Sequence, residues 1–318
     1  MDKQGGYIMD SRETLNQELE VIMRWEQEQK DTAWWDKLGR LPFALLDRVM
    51  PKGLKDKLAK ALNEVGQFVQ DGGKYLVQPS QVVKLLKEEA AKTGYSNSSV
   101  DQSAEHSTDH SVDLSVDYSV DHSADHSFDT GKRGKKADST REVVQQLPLH
   151  VLDQAAQHIT ERRVKFAAAQ GATTGIGGAV TMIADIPLVL GLSLKVLQEM
   201  ALCYGFDPDE PQERVFIVKC LQYSSADIVG KQAILEELVD YDNPERQVQI
   251  ISQIQGWREV VLSFQESFGW KKLFQLVPIA GMWFGSVSNR NTIRDVAETG
   301  QMLYKKRLIL HRLDGTSS

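Results

Sequence analysis

The chain has 318 residues, enough for one large domain or two modest ones with a sizeable core. Its formal net charge of −7 excludes a global basic field that would draw it to nucleic acid, and its mean hydropathy of −0.35 argues against a polytopic membrane protein. Its two cysteines, Cys203 and Cys220, provide neither a disulfide framework nor a Cys-x-x-Cys pair, and we interpret both as buried thiols.

The opening residues, MDKQGGYIMDSRETL, do not contain the positive segment followed by an apolar one that a secretory signal requires. We therefore expect a reducing, cytoplasmic location. Residues 1–95 are predicted to form an N-terminal amphipathic helical region. Asp10 and Glu13 make a capping-box pattern at the start of its first helix. The apolar face of that helix is predicted to comprise Leu15, Leu19, Ile22 and Met23.

Two further helices are predicted in this region. Pro51 opens one that ends at Gly72 and Gly73, and a shorter helix runs from about Gln81 to Lys92, closed by Gly94. A pair of tryptophans, Trp34 and Trp35, precedes the lysine-rich face of the Pro51 helix, an arrangement that would suit an interfacial membrane anchor. The alternative is that these aromatic rings cover a helical core while the lysines are solvated.

Residues 96–140 have a different composition from the rest of the chain. Acidic residues recur at every fourth position from Asp101 to Asp129. Histidines at helical spacing within the repeat suggest metal sites, but like charges four residues apart repel, and Ser, Asp and Val are weak helix formers. We expect a disordered internal linker without a specific metal site. The histidines concerned are His106, His110, His122 and His126.

Order is predicted to resume at Ser139, which forms a second capping box with Glu142 and opens a long helix. Helical periodicity then continues to about His311, broken at 185–187, 204–211, 242–244 and Pro278. No segment shows strand alternation bounded by hairpin turns. The predicted fold class is all-α, with a C-terminal helical domain over 141–313 and a short tail at 314–318.

The segment GATTGIGG, from Gly171 to Gly178, has the glycine spacing of a nucleotide-binding loop. Such a loop works only between a buried strand and a helix, whereas the residues before this one have helical periodicity. No Tyr-x-x-x-Lys pair occurs in the chain, and no Gly-Lys-Ser/Thr sequence follows the glycines. We therefore expect no nucleotide and no other cofactor at this segment.

Small residues at every fourth position favour close helix packing instead. These small residues lie in two predicted apolar helical hairpins, at about 166–204 and 272–300, each broken by glycine and proline. The hairpins could pack tightly or insert into a membrane. The first hairpin contains an uncharged run from Phe166 to Ala184. The predicted packing or membrane-contact motif comprises Ala167, Gly171, Gly175, Gly177, Gly178, Ala179, Asp185, Pro187, Tyr204, Gly205, Pro278, Gly281, Gly285 and Asn289.

Within the first hairpin, Asp185 is interpreted as a helix N-cap with Pro187 in the first turn, and Gly205 as the C-cap. The alternative for Asp185 is a functional buried carboxylate. Lys195 and Glu199 lie four residues apart and are predicted to form an ion pair at the surface. No residue is singled out as catalytic or as a metal ligand.

The segment AAAQGATTGIGGAVTMIADIPLVLGLSLKVLQEMALCYGFDPDEPQER resembles the central signature of the EcsC protein family. The late segment LVPIAGMWFGSVSNRNTIRDVAETGQMLYKKR is similar to that family's closing helix pair, and MPKGLKDKLAKALNEVGQFVQDGG matches its N-terminal helices more loosely. The resemblance covers most of the chain outside 96–140. It implies a helical protein with no established catalytic activity. It also points towards the membrane, because the family's namesake is linked to an ABC-transporter gene cluster.

We therefore expect an accessory or scaffolding protein rather than an enzyme, with a membrane surface or a membrane protein as its partner. Its expected location is cytoplasmic, peripheral to or inserted at the inner face of the cell membrane. The alternative is a soluble helical bundle that has the hairpins as its core and binds a protein partner or an apolar ligand. A third interpretation is an NAD(P)-binding enzyme.

Overall fold

The computed structural model describes residues 10–31, 65–69, 72, 77–94, 140–174, 186–225, 228–238, 241–242 and 289–315. These residues form helices joined by turns, and none of them lies in a strand, which confirms the all-α prediction. Short helical stretches cover 65–69 and 140–145. The longer helices are α1 (Arg12–Asp31), α2 (Pro79–Lys92), α3 (Leu149–Thr174), α4 (Ile186–Cys203), α5 (Pro211–Ser225), α6 (Ile228–Leu238) and α7 (Asn289–Gly315).

Helix α1 starts one residue later than the predicted capping box requires. The cap is Ser11, whose Oγ accepts a hydrogen bond from the Thr14 backbone N–H at 3.0 Å. Asp10, the predicted cap, instead accepts a hydrogen bond from the backbone N–H of Leu149 at the start of α3. The prediction that Asp10 caps the first helix is therefore wrong.

The buried face of α1 is close to the predicted one. Leu15 and Ile22 are buried, but Met23 is 56% exposed. Trp25, which follows Ile22 by three residues, occupies the next core position. The prediction for Met23 is wrong because one residue along a helix rotates a side chain by about 100°, which moves Met23 off the face that Ile22 presents.

Glycines end several of the helices as predicted. Gly72 has φ 83° and donates its N–H to the Phe68 carbonyl at 2.9 Å. Gly94 has φ 80° and follows α2, which starts at Pro79, two residues before the predicted position. Both glycines adopt the left-handed conformation that a helix C-cap requires.

Helix α3 does not continue from the residues at 140–145 as predicted. The helix breaks over 146–148, and Pro148 stands immediately before α3 begins at Leu149. Proline disfavours the helical conformation of the residue that precedes it and cannot donate a backbone hydrogen bond. The long predicted helix is therefore two helices with a turn between them.

Helix α4 is the central element of the described bundle. It packs against α2, α3, α5 and α7. Its side chains from Leu190 to Leu194 and from Val196 to Cys203 are all buried. The helix ends at Gly205, which has φ 84° and is followed by a hydrogen bond from the Phe206 N–H to the Ala201 carbonyl at 2.9 Å. The predicted C-cap is confirmed.

Helices from both sides of the predicted linker share this core. Helix α1 packs against α6 and α7, and α2 packs against α3 and α4. None of the helices in the described part of the chain combines the length and the apolar character needed to cross a membrane. The predicted repeat and its histidines lie outside the described residues.

Candidate functional site

Helix α7 carries a buried charge, the guanidinium group of Arg307. Its two terminal nitrogens donate to the two carboxylate oxygens of Glu213 on α5, each at 2.8 Å. Its Nε donates to Asp242 at 3.2 Å. The rings of Phe206 and Phe216 stack against it, with their centres 4.1 and 4.3 Å from the guanidinium carbon. We call these five residues the Arg307 cluster.

The charges of the Arg307 cluster stabilise one another. Burial lowers the pKa of Arg307, but Glu213 and Asp242 outweigh burial and hold that pKa above its usual value. Burial raises the pKa of Asp242, but hydrogen bonds from His311 and Arg307 outweigh it and hold that pKa well below its usual range. Arg307 and Asp242 thus stay ionised at neutral pH, and the cluster ties α7 to α5 and to the turn at 241–242.

A second set of polar contacts joins α7 to α1 and α3. Lys305 Nζ lies 2.7 Å from a carboxylate oxygen of Glu18 and 2.8 Å from one of Asp153. The other oxygen of Asp153 accepts a hydrogen bond from the hydroxyl of Tyr204 at 2.8 Å. Near the end of α7, Arg312 donates to Asp10 at 2.6 Å. Tyr204, a residue of the predicted motif, therefore supports this network from the end of α4.

A third charged group lies between α3 and α4. Glu199 is 1% exposed and accepts hydrogen bonds from Arg162 at 2.7 Å and from Arg163 at 2.6 and 2.8 Å. The predicted surface pair of Lys195 and Glu199 is wrong, because the position of Glu199 faces the α3 interface and its carboxylate is taken by the two arginines. We call Arg162, Arg163 and Lys195, with Glu199 between them, the basic cluster.

The basic cluster contains more positive than negative charge. Among the described residues no carboxylate lies within ion-pair distance of Lys195, so three cations face one carboxylate. Burial and, next, repulsion from Arg163 lower the pKa of Lys195, against a smaller opposing effect of Glu199. The Nε of Arg162 is buried and has no hydrogen-bond partner in the described part of the chain. The cluster therefore carries a net positive charge.

Three further titratable groups outside these clusters, Cys203, Cys220 and Asp207, have shifted pKa values. Burial raises the pKa of the Cys203 and Cys220 thiols far above their usual value, which confirms the prediction of buried thiols. Burial also raises the pKa of Asp207 to about 6, but its carboxylate accepts a hydrogen bond from the Asp209 N–H within the turn after α4. That bond gives Asp207 a role in holding the turn.

The sequence of the chain matches the model of the EcsC protein family over residues 16–309. The chain belongs to this family. The matched range includes all of α2 to α6 and most of α1 and α7, so the family's sequence pattern describes the bundle as a whole.

Two proteins of Bacillus subtilis strain 168 are similar to the chain. The chain is similar to the protein described as "Uncharacterized protein YdbA", with 44% identity over 307 residues, which is 96% of this chain and 97% of that protein. It is also similar to "Protein EcsC", with 28% identity over 145 residues, which is 46% of this chain and 58% of that protein. No solved structure matches the chain.

Several residues of the predicted motif for this EcsC-family chain lie in described helices. Ala167 is buried on α3, Pro187 lies in the first turn of α4, and Tyr204 and Gly205 end that helix. Gly171 lies near the end of α3, and Asn289 is the first residue of α7. The other residues of the motif lie outside the described residues, namely Gly175, Gly177, Gly178, Ala179, Asp185, Pro278, Gly281 and Gly285.

The close helix approach that the structure shows is at Gly300, which the sequence analysis did not single out. A Cβ atom added there would lie 2.8 Å from Cδ2 of Leu197 and 3.3 Å from Cγ of Met200. Gly300 lies on α7 and both neighbours lie on α4, so this glycine allows the two central helices to approach. The signal was available, because Val296, Gly300 and Tyr304 follow at helical spacing.

The buried charges were also missed. Arg307 follows Tyr304 by three residues, so it occupies a core position of α7, where a charged residue requires buried partners. Its partners come from α5 and from the 241–242 turn, far apart in the sequence. A charge on an apolar helix face therefore signals a buried cluster, but the partners can only be found from the fold.

Proposed function

We propose that this EcsC-family chain is an accessory or scaffolding protein that acts by binding, and that it docks on the membrane surface as a folded bundle. The observation that carries the proposal is the basic cluster, whose two arginines lie shortly before the uncharged run from Phe166 to Ala184 and whose lysine lies after it. Positive side chains next to an uncharged segment suit a surface with anionic headgroups and an apolar interior.

The burial of α4 supports peripheral docking rather than insertion of the whole predicted hairpin. Between Leu190 and Cys203 its side chains are packed against four neighbouring helices, with only Lys195 partly exposed. Moving α4 into lipid would separate Glu199 from Arg162 and Arg163, and breaking a buried ion pair costs about 3–5 kcal/mol. The bundle would therefore remain folded while its surface contacts the membrane.

A binding role rather than catalysis is supported by the way the buried charges are used. Arg307, Lys305 and Arg312 each contact a carboxylate from another element. Pairs of this kind hold helices in a fixed arrangement, which is what a scaffold requires. General acid–base catalysis instead needs a titratable group within reach of a substrate, with a pKa near the working pH. The charged groups of these three pairs contact one another, which supports a structural use of them.

The second candidate function is that of a bundle that binds a protein partner or an apolar ligand without a membrane. It is favoured by α4 itself, because the second half of the first predicted hairpin forms the bundle core. In this case the small-residue motif would serve internal packing alone.

Fractionation of cells that express the full chain separates the two candidates. Peripheral docking predicts that the protein sediments with membranes and is released by salt or carbonate washes without detergent. Recovery of all the protein in the supernatant before any wash would contradict docking and favour the second candidate. A requirement for detergent would contradict peripheral docking and show insertion.

A further inference from the structure

The structure assigns to the basic cluster a specific role, the recognition of an anionic phospholipid headgroup by Arg162, Arg163 and Lys195. This inference rests on the proposed membrane docking and deepens it, because it names the group on the membrane that the chain recognises. Three features of the cluster support this role, namely its charge balance, its spare hydrogen-bond donors and its position on α3 and α4.

The charge balance of the cluster leaves it two positive charges in excess. Arg163 is mostly buried and is fixed by two hydrogen bonds to Glu199. The side chain of Arg162 is 40% exposed and uses only one terminal nitrogen in its bond to the same carboxylate. Lys195 is partly exposed and has no carboxylate of its own in the described part of the chain. An incoming phosphate would therefore meet Lys195 and Arg162, the latter held in position by Glu199.

Spare donors also indicate a ligand. Arg162 bonds to Glu199 through one terminal nitrogen, and its side chain is 40% exposed. Arginine and lysine are the usual phosphate ligands, since guanidinium donates along two parallel directions and ammonium contributes a concentrated charge. A phosphate at the surface of the cluster would be contacted by the terminal nitrogen of Arg162 that does not bond to Glu199, since the Nε is buried.

The position of the cluster selects a lipid phosphate as the source of the anion. From Arg163 to the last residue of α3 there are eleven residues, or roughly 16 Å of helix. From Phe166 onwards this part of α3 has no charged side chain. Lys165, which is 79% exposed, is the last charged residue before this stretch. Cations set at one end of an uncharged helical stretch match the boundary between headgroups and acyl chains.

Vesicle co-sedimentation of the full chain tests the assignment. The vesicles contain either phosphatidylcholine alone or phosphatidylcholine with phosphatidylglycerol. The wild-type chain is expected to bind the anionic vesicles more tightly, and Lys195→Gln to weaken that binding about fivefold, the effect of one lysine near an anionic surface. Lys195→Gln leaves both arginine contacts to Glu199 in place, and circular dichroism of the variant should match the wild type.

Lys84→Gln is the matched control, since it removes the same charge from an exposed position on α2. It should leave binding unchanged. Equal loss in the two variants, or no loss in Lys195→Gln, would overturn the headgroup site while leaving membrane docking in place. Release of the bound chain by inorganic phosphate, but not by chloride of equal ionic strength, would show a free-anion site and overturn the lipid assignment. Failure of the wild type to bind either vesicle would contradict the proposed docking itself.

Discussion

At the scale of single residues, Arg307 shows why a charge can occupy the core of a helical bundle. Its guanidinium is flat and delocalised, so its faces can stack on Phe206 and Phe216 while its edges donate to Glu213 and Asp242. Lysine could not satisfy both demands, because its ammonium has no flat face. The stability of the bundle should therefore depend strongly on this side chain.

We predict that Arg307→Met destabilises the protein by about 3–5 kcal/mol, because Glu213 would remain buried without its partner. Urea unfolding followed by circular dichroism measures the change. Arg141→Met is the control, since Arg141 pairs with Glu210 at the surface with both side chains nearly half exposed. That variant should lose less than about 1 kcal/mol. Equal midpoints for Arg307→Met and the wild type would show that the cluster contributes no net stability.

At the scale of elements, the contact between α4 and α7 sets the geometry of the core. Gly300 faces Leu197 and Met200, and the added Cβ of any other residue would overlap the Leu197 side chain. The sequence predicts that small residues on both hairpins allow a close helix approach, but it does not single out Gly300. The structure shows such an approach on α7, while most of the predicted stripe lies outside the described residues.

The pair Gly300→Ala and Gly66→Ala tests this contact. Both glycines are helical, so each substitution gains about 1 kcal/mol of helix propensity. A Cβ at Gly66 would meet nothing within 4 Å, whereas one at Gly300 would displace Leu197. We expect Gly300→Ala to be less stable than Gly66→Ala by about 1–3 kcal/mol, the usual cost of overpacking. Thermal unfolding measures both, and equal stabilities would mean that α4 and α7 can separate without cost.

At the scale of the whole molecule, the sequence predicts the helical class and most helix ends, because these depend on local chemistry. Gly72, Gly94 and Gly205 end helices where the sequence places them. The break at Pro148 is equally local, and helical periodicity on both sides concealed it.

Partners distant in the sequence could not be predicted from the sequence in the same way. Asp10 bonds to Leu149 and Arg312, and Glu199 bonds to Arg162 and Arg163. Each of these carboxylates has a plausible local role, as a cap or as a surface pair. Only the packing of α1, α3, α4 and α7 shows that both carboxylates instead contact residues distant in the sequence. The candidate site on α3 and α4 was missed for this reason.

The contacts between the two ends of the chain lead to the final prediction. Arg312 bonds to Asp10, Lys305 to Glu18, and Trp25 donates to Glu298 at 2.7 Å. These contacts and the shared core join the helices before the repeat to those after it. We therefore expect the two parts of the chain to stay associated after the repeat at 100–129 is cut, because these contacts join helices on either side of the repeat directly.

The experiment places a specific protease site within the repeat, cleaves the folded protein and applies it to a size-exclusion column. The two fragments should elute together, at the volume of the uncut chain, and unfold in one transition. A variant with both Lys305→Met and Arg312→Met is the comparison, because it removes two of the connections to α1 and its flanking Asp10, and its fragments should separate at lower urea concentration. Separate elution of the wild-type fragments in buffer alone would show that the two regions are independent domains, and that the charged contacts along α7 do not hold them together.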